Sequence, residues 1–171
     1  MERPLAAAVA ANALLVVAIA LFIWYAISLP PACSGGCVFG VSGKRFNITM
    51  VAANDTSRER GLMNTTITNG TIMIFVFQSP GDYPFWMKNT YSSLDMMWLD
   101  VSGDSGRVVY IANDTASCVG QSDAWCAEHE YDPRAPADYV IEARAGFARS
   151  NNITVGSQVT LGSVNGLRTP P

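Results

Sequence analysis

The feature that most constrains this chain is the stretch from Leu5 to Leu29, where 23 of 25 residues are apolar and Asn12 is the one strongly polar interruption. As a helix rising ~1.5 Å per residue it would be about 37 Å long, enough to cross a ~30 Å hydrocarbon core with some tilt. The competing reading is a cleaved signal peptide. Its apolar region runs to only ~7–15 residues, and no small-x-small cleavage pattern precedes Pro30-Pro31. A lipoprotein reading of Cys33 fails because Pro30 stands where such a signal carries an aliphatic residue. The sequence therefore predicts a single transmembrane anchor over residues 1–30, contacting the membrane through 5–29. A Gly/Ser-rich tether over 31–43 and a folded domain over 44–171 come after it.

Charge beside the anchor does not orient it, since Glu2 offsets Arg3. Two other signals do. Asn-x-Thr triplets begin at Asn47, Asn54, Asn64, Asn69, Asn113 and Asn152, six of the ten asparagines, whereas 25 Ser plus Thr in 171 residues predict about 1.5. Such triplets accept N-glycans on translocated domains, and ordinary Thr-rich strand and turn composition is the alternative. All four cysteines, Cys33, Cys37, Cys118 and Cys126, also lie beyond the anchor, as suits an oxidising compartment. Three pairings are possible, of which two local bridges are favoured: Cys33 with Cys37, and Cys118 with Cys126 across a nine-residue loop. A zinc site that adds His129 is disfavoured, because structural zinc pairs are spaced by two to four residues on both arms. The predicted localisation is a single-pass protein of the cell membrane with its C-terminal domain extracytoplasmic. A net charge of −3 with two lysines leaves no basic footprint for nucleic acid.

The domain reads as mainly β. Arg45 to Ala53 alternates, with Phe46, Ile48, Met50 and Ala52 on one face, as in a half-buried strand. Thr56-Ser57-Arg58-Glu59 has the form of a helix-initiating capping box ended by Gly61. Thr71 to Phe77 is continuously apolar and β-branched or aromatic, a strand buried on both faces. Strand character recurs at Phe85–Thr90, Leu94–Val101, Arg107–Ala112, Tyr139–Ala143 and Val159–Leu161, with a short helix at Phe147–Ser150. No helix is long enough for parallel crossovers. The fold class is a small antiparallel barrel or jelly-roll-like sandwich with one or two short helices.

Polar residues set among large apolar ones mark the candidate site. Lys88 and Asn89 lie within Phe85-Trp86-Met87-Lys88-Asn89-Thr90, and Asp95 lies a few residues on. A lysine there needs a carboxylate or carbonyls in place of water, and Asp95, Glu142 or Asp100 can serve unless it snorkels to solvent. Arg60 offers a planar fork to a carboxylate of a ligand or of the chain itself. Trp86, Tyr91 and Trp98 can stack on a flat ligand or belong to the core. His129 between two glutamates has no nucleophile beside it and reads as a loop residue.

Arg60-Gly61-Leu62-Met63, Phe75-Val76-Phe77, the Trp86-Met87-Lys88-Asn89-Thr90 core, Leu94-Asp95, and Tyr139-Val140-Ile141-Glu142 with Gly146 after it together resemble the family termed domain of unknown function 192, over roughly Arg45 to Leu161. The resemblance implies a compact, mainly β fold in proteins that often bear an N-terminal signal or anchor, and implies no established activity. The cysteine-bearing loop and the many sequons depart from the family pattern.

The expected function is a non-catalytic module in which Arg60, Trp86, Lys88, Asn89, Asp95 and Glu142 bind a small ligand, a glycan or an envelope protein. A rival is an enzyme of hydrolytic type, with Asp95 as acid or base and Lys88 or Arg60 stabilising negative charge. A third reading is a structural envelope component. With no P-loop, dinucleotide-binding glycine run or zinc-protease motif in the sequence, no cofactor or metal is called for.

Overall fold

The computed structural model describes residues 15–20, 36–164 and 167. The chain divides into two compact units, 1–30 and 31–171. In the first, residues 15–20 are helical. Among the described residues no helix is long and apolar enough to cross a membrane, and the rest of the predicted span lies outside them.

The second unit holds eight strands: β1 (Val38–Val41), β2 (Lys44–Asn47), β3 (Met50–Ala52), β4 (Ile72–Gly81), β5 (Leu94–Ser102), β6 (Ser105–Thr115), β7 (Ala137–Arg144) and β8 (Gln158–Gly162). Three short helices accompany them: α1 (Asp55–Arg60), α2 (Asp123–Glu128) and α3 (Phe147–Ser150). All strands join one sheet in the order β2-β1-β8-β6-β5-β7-β4-β3. Laid flat, eight strands at ~4.8 Å spacing would span over ~30 Å. Yet the two end strands, β2 and β3, are joined by Ile48 and Thr49 alone, a link that reaches at most about 11 Å. The sheet is therefore curled until its ends approach each other.

Because side chains alternate, the curled sheet has two apolar faces. Ile72, Ile74 and Val76 of β4, Met97 and Leu99 of β5, and Tyr139 and Ile141 of β7 share one cluster with Phe39 and Leu161. Met73 and Phe75, Met96 and Trp98, and Val140 from the same strands share the other with Leu62, Met87 and the Cys118 and Cys126 side chains. Central strands covered on both sides explain why β4, β5 and β7 read as nearly unbroken apolar runs.

Several sequence expectations change. Arg45–Ala53, expected as one half-buried strand, is broken at Ile48 and Thr49 into β2 and β3 at opposite ends of the sheet, with Phe46 and Ile48 on one apolar cluster and Met50 and Ala52 on the other. Val38–Val41, expected within the tether, forms β1 between β2 and β8. Gly40 there is a packing residue, since a Cβ would lie 2.3 Å from Thr160 Oγ1 on β8. The sheet is not wholly antiparallel: β3 pairs parallel to β4, and the crossover between them needs only the six-residue α1. The cap of α1 falls two residues earlier than expected, where Asn54 accepts from Ser57 N at 2.8 Å and the Ser57 hydroxyl accepts from Asn54 N at 3.1 Å. Asparagine is the stronger N-cap, and Ser57 does reciprocally what Glu59 was expected to do. Phe85–Thr90 is not a strand. Phe85 makes a single bridge to Tyr131, then the chain turns through Asn89 at φ 50°.

Candidate functional site

Where α1 and the 85–90 turn cover the sheet, they leave a cavity of about 20 Å³, room for one water. Its wall includes Arg60, Gly61, Phe75, Trp86, Lys88 and Glu142. Sequence explains each placement. Gly61 ends α1 at φ 47°, and its missing Cβ leaves the Phe75 ring where such an atom would lie 3.3 Å away. The turn sends Leu62 into the core at 2% exposure and leaves Arg60 at the cavity rim. Phe75 packs edge-on against Phe85 at 4.7 Å, and Phe85 against Trp98 at 5.6 Å, which fixes the segment carrying Trp86 and Lys88.

Glu142 is the chemically unusual member. It sits mid-strand on β7, in register with Met73 of β4 and Met96 of β5. The residue is 4% exposed, and its Oε2 is buried without a hydrogen-bond partner among the described residues. Desolvation raises its pKa from 4.5 to about 8, so the carboxyl is largely protonated at neutral pH. The cations around the cavity differ in their commitments. Lys88 Nζ contacts Asp123 Oδ2 at 2.7 Å and lies 5.1 Å from the Trp86 ring centroid. Its carboxylate partner is thus Asp123, none of the three acids expected from sequence. Arg58 donates to Val76 O at 2.9 Å, pairs with Asp55 and lies over Phe77. The exposed Arg60 guanidinium has no ion-pair or hydrogen-bond partner among the described residues.

Arg60, Trp86, Lys88 and Glu142 thus come together, while Asp95 and Asn89 do not join them. Asp95 faces Ala143, one position along β7 from Glu142, so it points to the opposite face of the sheet. Both of its oxygens are taken: Oδ1 accepts from Asp114 N at 2.9 Å and Oδ2 from Ala148 N at 2.8 Å. Asn89 is exposed in a left-handed turn whose carbonyl accepts from Asn64 N at 2.8 Å. Of the aromatic candidates, Trp98 is core and donates to Tyr83 O at 2.8 Å, whereas Tyr91 is exposed and donates to Asn64 Oδ1 at 3.2 Å. His129 is exposed, stacks on Trp125 and contacts its carbonyl through Nδ1 at 2.8 Å. Sequence reading missed Asp123 as the anchor of Lys88. Its sole signal was an acidic residue after Ser122, opening the helix that carries Cys126.

Cys118 and Cys126 are disulfide-bonded, with Cα atoms 5.9 Å apart. Cys33, and with it the other predicted bridge, lies outside the described residues. Several sequon asparagines have conformational roles of their own. Asn54 caps α1, and Asn64 and Asn152 occupy left-handed positions at φ 55° and 54°. Asn69 accepts from Arg144 at 3.3 Å, while Asn47 and Asn113 are exposed on strands.

Residues 38–161 match the model of a family, DUF192, described as "Uncharacterized ACR". The match begins at β1 and ends in β8. No curated protein matches the chain. Among solved structures, a "putative transcription regulator" from Sinorhizobium meliloti 1021 is 25% identical with a TM-score of 0.60, over 74% of this chain and 92% of the other. A protein of unknown function from Novosphingobium aromaticivorans is 25% identical with a TM-score of 0.57, over 72% and 82%.

Proposed function

The chain belongs to the DUF192 family, and from that starting point we propose that it is a membrane-anchored, extracytoplasmic and non-catalytic module that binds a small ligand at the cavity of Arg60, Trp86, Lys88 and Glu142. The observation that carries the reading is the buried, unpartnered Glu142 carboxyl beside a cavity whose rim holds an uncommitted arginine. A buried polar group without a partner costs stability, commonly about 1–3 kcal/mol, and a ligand that satisfies it recovers that cost. An enzyme built on Asp95 is less well supported, because two backbone amides occupy that carboxylate on the far face. The description of the Sinorhizobium relative as a regulator is not extended to this chain, whose net charge of −3 gives no hold on phosphates.

Anchoring rests on the apolar run at 5–29, and the outward side on the Cys118–Cys126 disulfide and the sequons; at least some of the exposed asparagines carry glycans in this reading. Protease added to intact cells removes the domain if the reading holds; a domain that survives until the membrane is permeabilised lies inside and overturns the location. For the site, a fragment screen by NMR on the full-length chain should give shifts centred on Trp86 and Glu142. Binding centred elsewhere, with these two residues silent, refutes the assignment.

A further inference from the structure

The wall of the cavity also restricts what can fill it. Its charged groups are Arg58, Glu59 and Arg60 of α1, Lys88 of the turn, and Glu142; the strands on either side set Met73 and Met96 opposite Glu142 and add no charge. Arg58 and Lys88 are committed to Asp55 and Asp123, so Arg60 is the cation left for a ligand. Glu142 is buried, with no donor or acceptor reaching Oε2. Held neutral by desolvation, it presents an O–H and needs an acceptor. A cationic ligand is opposed by Arg60, whose charge no carboxylate offsets among the described residues, and it leaves the Glu142 O–H without an acceptor. A neutral amide supplies an acceptor but leaves Arg60 unanswered. An anion whose charge is spread over two oxygens meets both demands. The cavity volume, about 20 Å³, admits one such oxygen and keeps the rest of the molecule at the rim.

Building on the binding reading above, we infer that the cavity takes a small carboxylate, one oxygen accepting a hydrogen bond from Glu142 inside and its charge answered by Arg60 at the rim. The acid and the carboxylate share one proton across this contact, and no bond to carbon is made or broken. Ionisation of Glu142 would set two negative groups against each other, so affinity is highest below the Glu142 pKa and falls as pH rises through it.

The test is carboxyl ¹³C NMR of the full-length chain in detergent, with Glu labelled and Glu142 assigned through Glu142→Gln. The probes are sodium formate, sodium acetate and acetyl-Ala-Ala with a free carboxyl end, against acetamide and methylammonium. Formate or acetate should shift the Glu142 signal saturably at pH 6.5, with affinity falling about tenfold per pH unit above pH 8 and about tenfold in Arg60→Gln. Glu142→Gln removes the titrating proton, so binding, tracked through the Trp86 indole, weakens at pH 6.5 and what remains no longer falls between pH 8 and pH 9; an affinity in this variant that still falls over that range overturns the role given to Glu142. Tighter binding of the peptide makes a chain terminus the source of the carboxylate, and tighter binding of acetate a free acid; either supports the inference. If acetamide or methylammonium shifts the signal and no carboxylate does, the ligand class is wrong and the binding site stands. If no probe acts, the carboxylate inference falls, and if Glu142 also titrates near 4.5 the binding reading falls with it.

Discussion

Glu142→Gln keeps size and shape while removing the titration, and the structure fixes the sign of its effect on stability. A carboxyl whose pKa is 4.5 unfolded and about 8 folded binds its proton more tightly in the native state. Its contribution to stability is therefore complete below pH 4.5 and lost as pH rises through 8. Each pH unit inside that window costs ~1.4 kcal/mol. Integrated from pH 5 to pH 8, the loss is roughly 3–4 kcal/mol, a large share of the 5–15 kcal/mol that holds a typical domain together. The glutamine variant has no such slope. Urea unfolding monitored by tryptophan fluorescence at pH 5, 6, 7 and 8 measures the difference between the two proteins, in which other titrating groups cancel. The gap should widen by roughly 3–4 kcal/mol in favour of the variant across the series. A constant gap would mean that Glu142 ionises freely, and the account of a desolvated acid without a partner would be refuted.

Asp95→Asn should lower stability by about 2 kcal/mol, since one of two charge-assisted bonds to backbone amides is lost, yet leave the Glu142 carboxyl signal unmoved; a moved signal would couple the two faces. Cys118→Ser with Cys126→Ser should cost about 2.5 kcal/mol from the loop entropy released and broaden the Lys88 side-chain resonances as Asp123 loosens, both readable in one sample by urea midpoint and NMR. Gly61→Ala should destabilise by about 2 kcal/mol in thermal melts, because φ 47° strains any side chain and the new Cβ would crowd Phe75. Asp123→Asn, by contrast, removes a pair whose acidic member is exposed and should shift the urea midpoint by no more than ~1 kcal/mol equivalent.

The legible parts of the fold were those in which one local rule acted alone. Strands β4, β5 and β7 announce themselves through unbroken apolar runs because both of their faces are covered. β1 was hidden by Gly40 and the glycines on either side of the strand, which composition reads as flexible, although Gly40 is fixed by the close approach of Thr160. Phe85–Thr90 has strand-forming residues, but Pro84 and the left-handed Asn89 leave room for a single bridge before the chain turns. At the site, Arg60, Trp86, Lys88 and Glu142 were recognisable from the family pattern. Asp95 was grouped with them because proximity in sequence says nothing about which face a residue takes, and one step in the β5–β7 register decides it. Asp123 was missed because it lies 35 residues from the lysine it holds.

The two-residue link between β2 and β3 has an effect on the molecule's sociability. Open sheets invite neighbours to add on, hydrogen bond by hydrogen bond, along any long unpaired border. Here the two end strands are four and three residues long and are brought near each other by the same short piece of chain. At these two ends a protein crowded among its own copies has little through which one molecule can extend the next.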